Sequence, residues 1–362
     1  MKEDKSTGFC DLKVGDSKMK ILMIGPARSV NGGISAVVNN YYNAGLDKQI
    51  DITYIGTMED GTKWHKLAVA VKALFRFLKE VSKCDIVHIH MASDSSLYRK
   101  MPFIYLSKLF HKKLVIHQHG GNIKPFFYEE CGSRMQKFIK KTLEKADKFL
   151  VVAPYLRDIF KDIISEEKIM VFPNSIECPI EIAPDYQKKE LLFLGRLCKE
   201  KGIRELLEAV GVLRKEFPDL NLYLGGVWVD EELKEMADAN REYIHQLGWV
   251  NGKTKEEYLR KCNIFVLPTY FEGLPMSLLE GMAYGCACVA SEVGGIPQVV
   301  KKEEDGILIP SKDVTALEQA LRRLLLDTDL QKRLGKNARK KVLASYDLVK
   351  SIKKLLDVYA SL

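Results

Sequence analysis

Long apolar runs are absent from this 362-residue sequence, and none approaches the ~18 residues that a membrane-spanning helix needs. The first eighteen residues are polar and lack the apolar core of a signal peptide, so we expect a flexible tail over 1–18 and a cytoplasmic protein. CxxC pairs are absent, and the eight cysteines are scattered, which favours reduced thiols. The dinucleotide fingerprint GxGxxG is missing too, which argues against a dehydrogenase.

Positive charge is concentrated in one segment of the chain. The formal net charge is +8, and sixteen Lys/Arg stand against seven Asp/Glu between Lys72 and Lys148. Two interpretations are open: solvated helix faces, or a surface that meets an anionic partner such as a phospholipid leaflet or a diphosphate-linked acceptor. We expect no nucleic-acid partner.

Short apolar runs alternate with helical patterns in both halves of the sequence, which predicts α/β domains with parallel sheets covered on both faces. A proline-containing stretch at 176–187 lacks either period and is predicted to link a domain at 19–176 to a domain at 188–344, before a final helix at 345–362. The predicted strands are 20–25, 50–56, 85–90, 114–120, 149–153, 168–175, 190–196, 220–226, 263–269, 286–293 and 306–311. The predicted helices include 67–83, 134–148, 202–217, 256–262, 314–326 and 329–345.

A glycine pair and two cations follow predicted strands. Gly32-Gly33 allows the backbone amides of a helix N-terminus to approach a phosphate, although an ordinary turn explains the pair equally well. Arg196 ends a predicted strand, and Lys201 opens the next predicted helix. Cations at the carboxyl edge of a sheet suit a diphosphate, whose charge grows as it leaves, but two solvated loop residues would give the same pattern.

Two carboxylates, Glu272 and Glu280, stand eight positions apart. Pro275 and Ser277 suit the first turn of a helix, which places Glu272 in the preceding loop and Glu280 inside the helix. The helix N-terminus offers free amides to an anion, so Glu272 can bind sugar hydroxyls and Glu280 ribose hydroxyls. A surface role is a poor alternative, because Glu280 lies in an apolar helix where a carboxylate needs a partner.

Four histidines occur in two strands of the first half. Alternation puts His88 and His90 on one face of their strand, and His117 and His119 on one face of theirs. No carboxylate cluster accompanies them, so we expect no metal site. His119 ends its strand and is predicted to hydrogen-bond the transferred sugar or a phosphate, whereas the other three are interpreted as structural.

Together these segments resemble the retaining glycosyltransferases of the GT-B fold and family 4 type, from about Lys20 to Leu326. The most specific piece is FVLPTYFEGLPMSLLEGMAYGCACVASEVGGIPQVV at 265–300, which carries Glu272-x7-Glu280. Supporting pieces are NGG at 31–33, HGG at 119–121, PNS at 173–175, GRLCKEKG at 195–202 and LGWV at 247–250. Departures from the family pattern are Ser175 for Gly, Gly281 for Ala and Gln298 for Glu, and they leave the sugar specificity open.

The resemblance implies two Rossmann-like, doubly wound domains that face a cleft. The domain at 19–176 would take the acceptor, the domain at 188–344 would bind the nucleotide sugar, and the helix at 345–362 would cross back to the first domain. Catalytic roles are implied for His119, Arg196, Lys201 and Glu272. Donor binding is implied for Gly32, Gly33, Arg196, Lys201, Trp249, Val250, Glu272, Gly273, Leu274, Pro275, Met276, Ser277 and Glu280.

The function implied is that of a metal-independent, cofactor-free hexosyltransferase that retains the anomeric configuration. Its donor would be a nucleotide diphosphate sugar, UDP favoured over GDP, and its acceptor a saccharide or lipid-linked saccharide in cell-surface polysaccharide synthesis, such as that of a capsule. The basic helices of 72–148 suggest peripheral contact with the inner face of the membrane. The alternative is a non-catalytic GT-B scaffold that binds a nucleotide sugar or a protein partner.

Overall fold

The computed structural model describes residues 13–14, 17–120 and 123–362. Most of the expected N-terminal tail, residues 1–12, 15 and 16, lies outside the described residues, as does Gly121 of the HGG segment. The short strands β1 (Lys13–Val14) and β2 (Ser17–Lys18) pair in antiparallel fashion. The rest of the chain divides into two compact units, one comprising the described residues up to Pro173 together with Leu348–Leu362, and the other comprising Asn174–Asp347.

The first unit is built on a six-stranded sheet in which every neighbouring pair is parallel. Its strands, in the spatial order β4-β3-β5-β6-β7-β8, are β3 (Lys20–Gly25), β4 (Asp51–Gly56), β5 (Ile86–Met91), β6 (Lys113–Gln118), β7 (Lys148–Val151) and β8 (Ile169–Val171). All six residues of β5 are buried, as expected for a strand covered by helices on both faces.

Helices connect these strands. They are α1 (Gly33–Asn43), α2 (Leu46–Gln49), α3 (Lys63–Glu80), α4 (Ser95–Leu109), α5 (Ile123–Pro125), α6 (Ser133–Leu143) and α7 (Pro154–Phe160). The predicted helix at 134–148 is shorter than expected: α6 ends at Leu143, and residue 148 already belongs to β7. Helix α4 was not predicted, because it contains Pro102 and has a weak amphipathic pattern.

The second unit repeats the plan with a second all-parallel sheet. In the order β11-β10-β9-β12-β13-β14, its strands are β9 (Glu190–Leu194), β10 (Asn221–Gly225), β11 (Ile244–Gly248), β12 (Ile264–Leu267), β13 (Ala287–Ser291) and β14 (Ile307–Ile309). β11 was not predicted: it is an edge strand whose residues 245–247 are half-buried, so it lacks a continuous apolar run.

The helices of the second unit alternate with its strands. They are α8 (Ile203–Glu216), α9 (Glu231–Asp238), α10 (Gly252–Lys261), α11 (Met276–Ala283), α12 (Ile296–Val299), α13 (Val314–Leu326) and α14 (Thr328–Ser345). The last helix, α15 (Leu348–Ala360), belongs to the first unit, where it contacts α1.

The strand orders fix where a ligand would bind in each sheet. In the second unit the chain runs outward from β9 to β11 and then returns to place β12 on the other side of β9. Such a reversal opens a crevice at the carboxyl ends of the two central strands, which is the usual ligand position in doubly wound sheets. The loops after β9 and β12 are therefore the first place to look for a site.

Two further observations concern the predicted absence of membrane-spanning helices and the predicted reduced state of the cysteines. Among the described helices, none combines the length and the apolar character that crossing a bilayer requires. The seven described cysteines are free thiols, and six of them are buried.

Candidate active site

The loops that follow β9 and β12 are joined by backbone hydrogen bonds. The Tyr270 amide donates to the Glu200 carbonyl at 2.9 Å, and the Thr269 hydroxyl donates to the same carbonyl at 3.2 Å. These bonds hold the loop after β12 against the short 3-10 helix Lys199–Lys201. Residues far apart in sequence are therefore neighbours at the switch point of the sheet.

A glycine makes this close approach possible. Gly202 ends the 3-10 helix with φ of 70°, and a Cβ atom there would lie 2.0 Å from the Pro268 carbonyl oxygen. Only a residue without a side chain fits both this left-handed backbone and this contact. Gly202, the second glycine of the GRLCKEKG segment, thus sets the position of Lys201.

Lys201 and Glu272 form an ion pair at this junction. Both side chains are mostly buried, with relative exposures of 20% and 17%. Arg196 lies two residues after the end of β9, not at its last position as predicted, and its side chain is exposed. Within residues 13–14, 17–120 and 123–362 it has no ion-pair partner. The structure thus presents one paired and one exposed cation at the switch point.

The backbone of Glu272 is fixed by the loop after β13. The Gly295 amide donates to the Glu272 carbonyl at 3.2 Å, and a Cβ atom on Gly294 would lie only 1.9 Å from the same oxygen. Gly294 has φ of 54°, so a side chain there would be strained as well. Gly294 and Gly295 of the sequence motif therefore support the backbone of the acidic residue.

Glu280 lies inside α11, as predicted, but its partner was not anticipated. The Lys255 ammonium donates to its carboxylate at 2.6 Å, and Glu280 is 15% exposed. Lys255 belongs to α10, twenty-five positions earlier in the chain, and no sequence signal connects the two residues. The lysine satisfies the carboxylate in its apolar helix, which removes the cost of burying an unpaired charge.

The segment between the two acids enters α11, with Pro275 as the N-cap residue. Gly273, Leu274, Pro275 and Met276 are buried, and Ser277 is half-buried. The Leu274 carbonyl accepts a hydrogen bond of 2.8 Å from the side-chain amide of Asn174, which is itself buried. Asn174 was recognised only as part of the PNS segment, and the structure gives it a place beside the start of α11.

Trp249 and Val250 follow β11 at the same edge of the sheet. Trp249 is 38% exposed, whereas Val250 is buried against Gly225 at the end of β10. The Gly226 amide donates to the Gly248 carbonyl at 2.8 Å, so the ends of these strands are tied together. Trp249 and Val250 therefore lie at the same edge of the sheet as the loops after β9 and β12.

In the first unit, Gly32 and Gly33 stand at the start of α1, as predicted. Gly32 is the extended N-cap residue, and an added Cβ on either glycine would meet nothing within 4 Å. The preceding loop is held by two hydrogen bonds between Arg28 and Asn39, at 2.8 Å and 3.0 Å. The helix N-terminus is thus open on the side where the two glycines lie.

The four histidines of β5 and β6 form one stack of rings. Centroid distances range from 4.0 Å, for His117 with His119, to 5.7 Å, for His88 with His117. His90 Nδ1 lies 2.8 Å from His119 Nε2, and His88 Nδ1 lies 2.6 Å from the Tyr359 hydroxyl in α15. His119 is half-buried, whereas the other three are fully buried. The structure therefore joins the predicted sugar-contacting histidine to the three interpreted as structural.

Burial controls the charge of this stack. It lowers the pKa of His88 to about 3 and the pKa values of His90 and His117 well below the ordinary range, with the other histidines adding to the effect. His88, His90 and His117 bring ligand atoms within 4.8 Å of one another, as a metal ion would require. The Nδ1 atoms of His88 and His90 are already hydrogen-bonded, whereas their buried Nε2 atoms have no hydrogen-bond partner among the described residues.

A buried lysine that was not predicted as a site residue also lies at the carboxyl edge of the first sheet. The Lys100 ammonium donates to the Thr57 hydroxyl, which donates to the Gly25 carbonyl at 2.9 Å. Burial, followed by the charge of Arg99, lowers the pKa of Lys100 to about 7. No sequence motif marks Lys100, and α4, the helix that contains it, was not predicted.

Comparison with known proteins defines the class. Residues 45–178 match the model of Glycosyltransferase Family 4, and residues 179–341 match that of Glycosyl transferases group 1. The chain is therefore a glycosyltransferase of the GT-B fold, consistent with its two parallel sheets. It belongs to the group 1 glycosyltransferases of family 4, and this membership disfavours the scaffold and dehydrogenase alternatives.

Individual relatives cover most of the chain. It is 27% identical over 341 residues to UDP-Gal:alpha-D-GlcNAc-diphosphoundecaprenol alpha-1,3-galactosyltransferase of Escherichia coli, which covers 87% of this chain and 84% of that one. It is 28% identical over 295 residues to N,N'-diacetylbacillosaminyl-diphospho-undecaprenol alpha-1,3-N-acetylgalactosaminyltransferase of Campylobacter jejuni, covering 75% and 76%. Sucrose-phosphate synthase of Thermosynechococcus elongatus has the same fold, with a TM-score of 0.78 at 18% identity over 95% and 99% of the two chains.

Proposed function

We propose that this glycosyltransferase moves a hexose from a UDP-sugar to a saccharide carried on a lipid diphosphate, with retention of the anomeric configuration and without a metal ion. The observation that carries the proposal is the Lys201–Glu272 ion pair beside the exposed Arg196 at the switch point of the second sheet. The names of the Escherichia coli and Campylobacter jejuni relatives support the acceptor, since both specify a sugar on diphosphoundecaprenol. The first of them also names a UDP-sugar as its donor.

The diphosphate of the donor would lie against Arg196 and Lys201. Two cations supply the charge that a divalent metal ion would otherwise supply, and charge-assisted hydrogen bonds to phosphate are among the strongest available. The two cations stabilise the leaving nucleotide as negative charge develops on it. The open N-terminus of α1 at Gly32-Gly33 offers free backbone amides, which are suited to binding a phosphate.

The lysine partners of Glu272 and Glu280 suggest a role for each carboxylate. Glu272 is oriented by Lys201 and by the backbone bonds to its carbonyl, so it is suited to accept hydrogen bonds from hydroxyls of the transferred sugar. Glu280 is held by Lys255 and is suited to accept from the ribose. A carboxylate bound to an ammonium ion is a poor nucleophile, which favours a mechanism without a covalent enzyme intermediate.

The reaction then proceeds by attack on the same face of the sugar. The bond between C1 and the diphosphate oxygen breaks, and the acceptor hydroxyl oxygen forms a new bond to C1. The acceptor proton passes to the departing phosphate oxygen, so the leaving group acts as the base. His119, bonded to His90, would contact the transferred sugar.

A thermal-shift screen against UDP-, GDP- and ADP-sugars tests the donor. A ligand present at 100 times its Kd should stabilise the protein by about 2.7 kcal/mol, and we expect this only with the correct base. Wild type and an Arg196→Ala/Lys201→Ala variant are compared, with and without a chelator. The anomeric proton coupling of the product then reports retention or inversion. Undiminished donor hydrolysis and transfer in the double variant, or inverted product, would refute the proposal.

A further inference from the structure

Helix α3 carries its large apolar side chains on the outside of the protein. Only Ala73 and Phe77 of its eighteen residues are buried. The exposed apolar side chains recur every three or four positions and form one stripe, with relative exposures of 81% for Trp64, 55% for Leu67, 47% for Val71, 70% for Phe75 and 40% for Leu78. A contiguous exposed apolar stripe of this kind marks an interaction surface. We call these five residues the α3 stripe.

Cations flank the α3 stripe on the same helix. Lys66, Lys72 and Arg76 are exposed, and within the described ranges none of them has an ion-pair partner. Lys79 lies in the last turn of the helix, which ends at Glu80. An amphipathic helix with aromatic residues on one face and Lys/Arg beside them is typical of a segment that lies in a membrane interface.

A basic cavity opens beside the α3 stripe. Its volume is about 570 Å³, and it lies between α3 and the carboxyl end of β4. Arg28, His65, Lys72 and Arg76 line it together with one acid, Glu59, which is paired with His65 at 3.2 Å. A second cavity of about 580 Å³ runs along the stripe and shares Lys72 with the first.

The basic cavity is preformed. The Arg28 guanidinium stacks 3.7 Å from the centre of the Tyr42 ring and donates to the Asn39 side chain at 2.8 Å. The Arg28 side chain therefore has little entropy left to lose when an anion binds to it. A phosphate-bearing group in this cavity would have apolar surface directly beside it, which is the arrangement found in a lipid.

We propose that α3 and the adjoining basic cavity bind the surface of an anionic phospholipid bilayer. Trp64, Leu67 and Phe75 enter the boundary between headgroups and acyl chains, while Arg28, Lys72 and Arg76 contact lipid phosphates. A bilayer is favoured over a protein partner because apolar and cationic groups alternate along one exposed helix, and Trp is a preferred residue at that boundary. The inference deepens the proposed function, since a lipid-linked acceptor is presented at such a surface.

Vesicle binding tests this inference in the absence of any sugar nucleotide. Wild-type protein is titrated with vesicles of phosphatidylcholine containing 30% phosphatidylglycerol, or with phosphatidylcholine alone, and bound protein is measured by co-sedimentation. Binding should require the anionic lipid. Trp64→Ser/Phe75→Ser should weaken it about 100-fold, from the apolar area lost. Lys72→Ala/Arg76→Ala should weaken it about 30-fold, since each cation near an anionic surface contributes roughly five-fold.

Matched controls come from the second unit. Ile180→Ser/Leu326→Ser removes two apolar side chains that are 79% and 66% exposed, and Lys332→Ala/Lys336→Ala removes two exposed cations. Neither pair should change vesicle binding. Circular dichroism verifies that each variant is folded. In the wild type, tryptophan emission should shift to the blue on binding, and Trp64→Phe should abolish most of that shift.

Three outcomes would overturn the inference. The first is equal binding to neutral and anionic vesicles, or equal loss in the controls. The second is binding of inorganic pyrophosphate that depends on Lys72 and Arg76 without vesicle binding, which would make the cavity a site for a soluble anion. The third is a stripe-dependent dimer, by analytical ultracentrifugation, without vesicle binding. Donor binding by the wild type is measured separately, so failure of the proposed function is distinguishable from each of these.

Discussion

The ammonium group of Lys201 is paired with the carboxylate of Glu272, although the two residues stand 71 positions apart in the chain. The pair exists because the loops after β9 and β12 are adjacent at the switch point and are joined through the Glu200 carbonyl. One residue is predicted to hold the diphosphate and the other the sugar. Their separate contributions are therefore measurable by varying the ligand.

Lys201→Ala should weaken binding of both UDP and the UDP-sugar about 10- to 100-fold, the loss expected for a charge-assisted hydrogen bond. Glu272→Gln should weaken binding of the UDP-sugar alone, because UDP lacks the hydroxyls that Glu272 contacts. Isothermal titration calorimetry with the two ligands measures both effects. Lys199→Ala, an exposed neighbour in the same 3-10 helix, is the matched control. Equal weakening of UDP by both site variants would contradict the assignment of Glu272 to the sugar.

Glu280→Gln should weaken UDP binding, and the effect should vanish with 2′,3′-dideoxy-UDP, which lacks the ribose hydroxyls. The predicted loss for UDP is roughly tenfold, within the range for a hydrogen bond to a charged group. Lys255→Ala should have a smaller effect in the same direction, because Lys255 orients Glu280 at 2.6 Å without contacting the ligand. A fluorescence competition assay with the two nucleotides makes the comparison. A similar loss for both nucleotides would assign Glu280 a purely structural role.

Asn174→Ala should lower the free energy of unfolding by about 1–3 kcal/mol, since it leaves the buried Leu274 carbonyl without its donor. It should also raise the KM for the donor, because Leu274 leads into the N-terminus of α11. Asn337→Ala is a close control: its side-chain amide donates to the Glu304 carbonyl at the same 2.8 Å distance, but at the exposed surface. Urea unfolding and initial-rate kinetics measure the two effects. Equal destabilisation by both variants would show that burial of the Asn174 bond is unimportant.

The stack of buried histidines should make the first unit sensitive to acid. Burial lowers the pKa of His88 to about 3 in the folded state, whereas an unfolded chain binds the proton near pH 6.5. Because the folded-state pKa of His88 is depressed, the folded protein has its full stability above pH 6.5. It loses stability as the pH falls from 6.5 toward the folded-state pKa. Each such histidine lowers the free energy of unfolding by about 1.4 kcal/mol for every pH unit that the pH falls in this range. The pKa values of His90 and His117 are lowered as well, so the slope should be steeper than one group gives.

Hydrogen exchange of peptides from β5 and β6, corrected for intrinsic rates, measures this loss between pH 6.5 and 5. His117→Phe should reduce the slope of the free energy of unfolding against pH by the contribution of one histidine, about 1.4 kcal/mol per pH unit. His111→Asn is the control, because this exposed residue has a positive φ that Asn tolerates. A slope that does not change in His117→Phe, or that changes equally in His111→Asn, would contradict the prediction.

His119→Asn should lower kcat about 100-fold with little change in UDP affinity, because the side chain is proposed to contact the transferred sugar. His90→Gln should have a smaller effect, because His90 acts only through its hydrogen bond to His119 Nε2. Steady-state kinetics with saturating donor, together with UDP binding by calorimetry, separates the two roles. A larger loss from His90→Gln than from His119→Asn would contradict the proposed order of roles.

The sequence by itself determined the fold class and most of the strands. Strands buried on both faces must be continuously apolar, which made KILMIG and FVLP easy to recognise, whereas the half-buried edge strand β11 left no such signal. The spacing of Glu272 and Glu280 also placed one acid before α11 and the other within it, because helix-start preferences are local.

Only the tertiary structure decided which distant groups of the chain meet. The pairs Lys201–Glu272, Lys255–Glu280 and Asn174–Leu274 join residues that are 71, 25 and 100 positions apart, and their contact depends on strand order and loop packing. The sequence suggested membrane contact through the basic helices of 72–148, but only the structure showed that the apolar side chains of α3 are exposed. An amphipathic helix has the same pattern whether its apolar side packs on a sheet or lies in solvent. Hydrophobic periodicity shows that a helix has an apolar face, but tertiary packing determines whether another element covers that face.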